Sequence, residues 1–142
     1  MDPADRDLII RTVLAESGSK GAPDEQSAVA HVILNRMGNP QYGTNVRDVL
    51  FQKNAFEPWG AGFNSNNPMR FKAGSAAYKN AGDVVDAAVA GGDDPSGGAD
   101  RFQQPEIVNQ RIAKGQLKAS EAAPKTAKRI GNQVFWSTGD QP

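Results

Sequence analysis

Ala28-Val29-Ala30-His31-Val32-Ile33-Leu34-Asn35-Arg36 is the stretch whose spacing decides the fold class. Ala28, Val29, Val32, Ile33 and Arg36 recur at i, i+1, i+4, i+5 and i+8, the pattern of a helix laid against a core. Just upstream, Pro23-Asp24-Glu25 supplies the proline and acidic first turn with which helices begin. Just downstream, Gly38-Asn39-Pro40 stops the pattern. Toward the N-terminus, Asp2-Pro3 reads as an N-cap followed by proline at the first helical position, and Leu8, Ile9, Thr12 and Val13 continue a first helix to about Glu16. Ser17 to Ala22 is a glycine-containing turn between the two.

Toward the C-terminus, a short helix is expected at Val46 to Phe51, opened by Thr44 or Asn45, followed by an irregular stretch carrying Phe56, Trp59 and Phe63. Arg70 to Ala90 reads as one or two helices, with Gly74 and Gly82 as breaks and Gly91-Gly92 as the stop. Asp93 to Gly98 is a turn cluster in which Asp93 and Asp94 shape the chain. Ala99 to Gln104 and Asn132 to Ser137 are short, partly alternating and aromatic, and are read as two strands with helical or irregular chain between them. The expected fold is α+β and mainly helical, one domain over residues 1–142 with a small β element formed by the C-terminal part.

With 142 residues the chain suits a single domain with a modest core. Sixteen basic residues balance sixteen acidic ones, which argues against a nucleic-acid module and gives no membrane-surface signal. The absence of cysteine excludes disulfides, thiolate zinc sites and a cysteine nucleophile. The start, Met1-Asp2-Pro3-Ala4-Asp5-Arg6-Asp7, has no basic region followed by an apolar core, and no apolar run approaches the ~18 residues of a membrane span. No export signal is therefore expected in this chain. Delivery to its place of action would need another route, such as phage-type lysis or a secretion system, or the chain is an excised domain.

Glu16 stands out chemically. At about 100° per residue, Ile9, Val13 and Glu16 share one sector of the first helix, so an ionisable group takes a place on the apolar side. Partial burial and the negative end of the helix dipole both disfavour its charged form, and a carboxyl held at a pKa of about 6 donates a proton at neutral pH. The other reading is a helix-end glutamate turned to solvent. Glu25 needs no special role, since an acid in the first turn of a helix is favoured by the dipole. His31, the one histidine, lacks neighbouring ligands at metal spacing and is read as packed or on the surface.

Four separated blocks, in order, resemble the SleB/CwlJ cell-wall hydrolase family. Leu14-Ala15-Glu16-Ser17-Gly18 is similar to its alanine-glutamate block, and Ala28 to Arg36 to its second-helix signature. Asn54-Ala55-Phe56-Glu57-Pro58-Trp59 is similar to its aromatic block. Asp94 to Ala99 with Phe102-Gln103-Gln104-Pro105, then Ile130 to Trp136, resembles the closing part. The chain departs from the pattern at Gln103-Gln104, at Gly131-Asn132-Gln133 where the family often has histidine in the third place, and at His31. The resemblance implies a lysozyme-like fold related to lytic transglycosylases, whose Glu-Ser signature Glu16-Ser17 also matches, and it implies peptidoglycan glycan strands as the partner, with no metal or organic cofactor.

Cleaving the MurNAc-GlcNAc β-1,4 bond requires protonation of a poor leaving group, and the resemblance assigns that to Glu16. In a lytic transglycosylase the same carboxylate then takes a proton from the muramic acid 6-hydroxyl, closing a 1,6-anhydro ring. The alternatives are a hydrolytic muramidase, which wants a second carboxylate, and a non-catalytic glycan-binding module. Glu57 is the candidate second acid, or a solvated loop residue. Ser17 is expected either to hydrogen-bond the Glu16 carboxyl or to cap its helix. Phe56, Trp59 and Trp136 are sugar-stacking faces or core. Asn35 and Arg36 either orient substrate or tie the end of helix two to a loop, and Gln104 and Asn132 are placed at the N-acetyl groups by the resemblance alone.

Overall fold

Asp2 opens helix α1 (Pro3–Ser17): its carboxylate accepts the Ala4 N–H at 2.7 Å, and Pro3 takes a position where no N–H is needed. Gly18 closes it with φ +79, a conformation that glycine adopts without cost, and its N–H donates to the Leu14 carbonyl at 2.7 Å. The computed structural model describes residues 1–18, 21–52, 56 and 67–138. Glu57, Trp59 and Phe63 lie outside the described residues.

Helix α1 is not the one-sided helix that its spacing suggests. Every residue from Ile9 to Ala15 is buried, because α2 (Pro23–Met37), α3 (Val46–Phe51) and α4 (Ala76–Val89) all pack against it. A helix enclosed in this way must satisfy its polar groups internally. Arg11 donates to the Asp7 carboxylate at 2.9 Å and to the Phe71 carbonyl, and the Thr12 hydroxyl donates to the Leu8 carbonyl at 2.7 Å. Tyr78 joins the group from α4 by donating to Asp7 at 2.6 Å.

Asn45 is the cap of α3, its side chain accepting the Asp48 N–H at 2.9 Å. The segment expected to hold one or two helices holds a 3-10 turn at Pro68–Arg70 and then the single helix α4. Gly82 does not break that helix. A Cβ there would lie 2.9 Å from Arg6 Nη2 and 3.4 Å from Ile10 Cδ1, so the missing side chain lets α1 come close.

The C-terminal part forms a three-stranded antiparallel sheet, where two strands were expected. β1 (Arg101–Gln103) and β2 (Lys128–Ile130) flank β3 (Gln133–Trp136), with Phe102 opposite Phe135 and Arg129 opposite Val134. Strand β2 escapes pattern reading because Lys128-Arg129-Ile130 is a short, charged edge in which Ile130 alone packs against the core. Helix α5 (Pro105–Ala113) links β1 to the later strands without burying a residue. Phe135 is fully buried and stacks on Phe102 at 5.9 Å, which seats the sheet on the helical body. Among the described residues no helix is long and apolar enough to cross a membrane.

Candidate active site

Glu16 is the penultimate residue of α1, half-buried, at the place where the central helix meets the small sheet. Its backbone carbonyl accepts a 3.0 Å hydrogen bond from Nε2 of Gln133, which is 1% exposed at the start of β3. The helix end is thus fixed twice, by the Gly18 cap and by the sheet. Ser17 does not hold the Glu16 carboxyl: its hydroxyl donates its one proton to the Val13 carbonyl at 2.6 Å, a helix-end contact that leaves Glu16 to be oriented by other groups.

Arg36 is a buried positive charge within electrostatic reach of Glu16. It is 7% exposed, donates from Nε to the Asp100 carbonyl at 2.7 Å, and lies with its guanidinium 5.0 Å from the Tyr42 ring and 4.9 Å from the Phe56 ring. Burial pulls its pKa below the ordinary arginine range, while Tyr42, Asp100 and Glu16 push the other way. The field of Glu16 therefore reaches Arg36, and the cation in turn favours a negative charge on Glu16. Phe56 is 3% exposed and stands 6.0 Å from Phe102, so it is a core ring against Arg36 and not an exposed face for a sugar. Trp136, 5% exposed, is likewise core.

Asn35 is engaged within the fold. Its side-chain N–H groups donate to Asp94 at 3.0 Å and to the Ala99 carbonyl at 2.9 Å, tying α2 to the turn before β1. Asp94 is the hub of that turn, accepting also from the Ser96 hydroxyl at 2.6 Å and from the N–H groups of Ser96 and Gly98. Burial alone would raise the Asp94 pKa, but the bonds from Ser96, Asn35 and Gly98 outweigh it and hold the carboxyl below its usual range. His31 packs beside it, with Nδ1 4.0 Å from Asp94. A depressed native pKa stabilises the fold above the unfolded value of about 3.9 and stops doing so as pH falls through the native value. Asp94→Ala is therefore expected to cost on the order of 3 kcal/mol near pH 7. In urea unfolding the gap between the two proteins should shrink steadily as the pH is lowered through the carboxylate range.

Gln104 is half-buried at the N-cap of α5 and makes no side-chain cap there. Asn132 is exposed in the turn between β2 and β3 and lines an open depression of about 420 Å³. The other walls are Ser17 and Gly18 from the end of α1, Gly21, Ala22 and Glu25 from the start of α2, and Gly131. Among the described residues, Asn132 is thus the one predicted substrate contact that lines this depression, next to Ser17 and Gly18 at the end of α1.

Glu25 does more than complement the dipole of α2. It is 2% exposed, and its Oε1 accepts the Asn132 N–H at 2.6 Å. No sequence signal marks it, because Gly131 comes to face Glu25 only in the fold: a Cβ on Gly131 would fall 2.5 Å from Glu25 Oε1, at a φ of +62 that already favours glycine. Gly131→Ala is expected to destabilise by on the order of 2 kcal/mol, from the left-handed backbone and the displaced carboxylate together. Urea unfolding measures that loss, and wild-type stability in the variant would show the contact to be slack.

A helical body closed by a three-stranded sheet, with Glu16 at the end of the central helix and an open depression lined by the two residues that follow it, defines a lysozyme-like glycosidase architecture. A family model described as cell wall hydrolase matches residues 22–136, and the chain belongs to that family of enzymes acting on peptidoglycan. The matched span takes in Glu25, Asn35, Phe56, Gln104 and Asn132, while Glu16 and Ser17 precede it. Among solved structures, the catalytic domain of the Bacillus cereus SleB protein is similar with a TM-score of 0.64 and 25% identity, covering 94% of this chain and 90% of that one. No curated protein sequence matches.

Proposed function

We propose that residues 1–142 act as one catalytic domain at the cell wall, a lytic transglycosylase that cleaves the MurNAc-GlcNAc β-1,4 bond. Glu16 gives its proton to the glycosidic oxygen as the bond to the sugar breaks, and the resulting carboxylate removes the proton of the muramic acid 6-hydroxyl as that oxygen closes the anhydro ring. One protein carboxyl group serves both steps, so no water is consumed. The observation that carries this reading is the double fixing of the Glu16 helix end, by Gly18 and by Gln133, beside a depression in a cell-wall hydrolase fold. Arg36 moderates the carboxyl by favouring its anionic form, as the second step requires.

Glu25 favours a second reading, a muramidase in which a second carboxylate activates water. Sacculi whose reducing ends have first been blocked with borohydride separate the two. Transglycosylation releases soluble glycan without new reducing ends, and hydrolysis creates one reducing end per cut. A new reducing end for every fragment released would decide for the muramidase. Binding to sacculi without release would leave a glycan-binding module.

A further inference from the structure

The transglycosylase mechanism makes no use of Glu25, yet its surroundings are those of an incomplete binding site. The residue is 98% withdrawn from solvent, being 2% exposed, and no Arg, Lys or His among the described residues pairs with it. Its Oε1 is occupied by the Asn132 N–H, and among the described residues nothing donates to its Oε2. That oxygen is nevertheless absent from the side-chain atoms sealed off without a partner, which among the described residues are His31 Nε2, Gln103 Oε1 and Trp136 Nε1. It therefore keeps some contact with solvent, and Glu25 is one of the residues that line the depression. Holding an unpaired carboxylate out of water is unfavourable, and a donor arriving in the depression would complete it.

The rest of the depression says what kind of donor fits. Gly18, Gly21 and Gly131 leave its walls without side chains, and at Gly21 a Cβ would stand 2.6 Å from the Ser17 carbonyl. At the same end, α2 begins at Ala22, which has no side-chain oxygen, so the first-turn N–H groups lack a capping partner. An acceptor deep in a bare-walled hollow, with backbone donors at its rim, is the complement of a secondary amide, whose N–H donates while its carbonyl accepts. We propose that this depression is a subsite for the acetamido group of an N-acetylhexosamine, with Glu25 Oε2 accepting the amide N–H. The inference rests on the glycosidase reading and adds to it a specificity-determining residue.

Glu25→Gln separates binding from architecture, because the amide oxygen still accepts the Asn132 N–H while an NH₂ group replaces the acceptor that faces the depression. Titrating tri-N-acetylchitotriose into the wild-type protein should shift the amide resonances of Gly18, Gly131 and Asn132. Glu25→Gln should bind it about tenfold more weakly or worse, with an unchanged melting temperature. Cellotriose, with a hydroxyl in place of the acetamido group, should bind both proteins equally poorly. On purified sacculi the variant should show KM raised about tenfold and kcat within about twofold. Equal affinity of both proteins for the chitotriose, an equal loss with cellotriose, absence of shifts at those amides, or a fall in kcat at unchanged KM would each overturn the proposal. Wild-type protein that releases nothing from sacculi would instead overturn the glycosidase reading on which it rests.

Discussion

Glu16→Gln is expected to lower the rate at which purified sacculi lose turbidity by at least about a hundredfold, the lower range of what a general acid contributes. The substitution keeps shape and hydrogen-bonding capacity and removes only the transferable proton. The contacts that fix this helix end, Gln133 Nε2 to the Glu16 carbonyl and Gly18 N–H to the Leu14 carbonyl, involve backbone acceptors that the variant retains. Stability should therefore be nearly unchanged, and a melting curve recorded beside the lysis assay checks it. A module that only bound glycan would lose nothing in this variant, since it needs no acid.

The largest effect on stability is expected at Arg36. Its guanidinium is held between Tyr42 and Phe56, and its Nε is the donor for the Asp100 carbonyl. Arg36→Ala removes two cation–π contacts, leaves that carbonyl unpaired and opens a cavity beneath the sheet, together about 3 kcal/mol or more. For a chain of this size that corresponds to a melting temperature lower by roughly 10 °C. A variant that melts with the wild type would show that the two ring contacts and the Asp100 bond do not hold the fold.

The helices were legible where caps and spacing act locally: Asp2-Pro3 before α1, Asn45 before α3 and the periodic run of α2 all stand where the residues place them. What spacing could not show was enclosure. The apolar stripe of α1 looks one-sided because Arg11 and Thr12 interrupt it, and only the packed structure supplies the Phe71 and Leu8 carbonyls that let those residues be buried. Strand β2 was illegible for the opposite reason, having too little apolar character to signal a pleat.

The candidate site divides in the same way. Glu16 is identifiable from its own neighbourhood and from a family signature. Ser17, Asn35 and Phe56, singled out beside it, serve the fold: Ser17 bonds Val13, Asn35 holds Asp94 and Ala99, and Phe56 covers Arg36. Each of these residue types is as well suited to architecture as to substrate, and sequence carries no term that distinguishes the two. Glu25 was overlooked because its partner, Asn132, lies 107 residues away in the chain.

Mass spectrometry of the soluble fragments released from purified sacculi tests the central claim most directly, with wild type and Glu16→Gln digested in parallel. The account predicts muropeptides ending in 1,6-anhydro-MurNAc, lighter by one water than the reducing form, from the wild type and almost none from the variant. Anhydro products released at comparable rates by both proteins would contradict it.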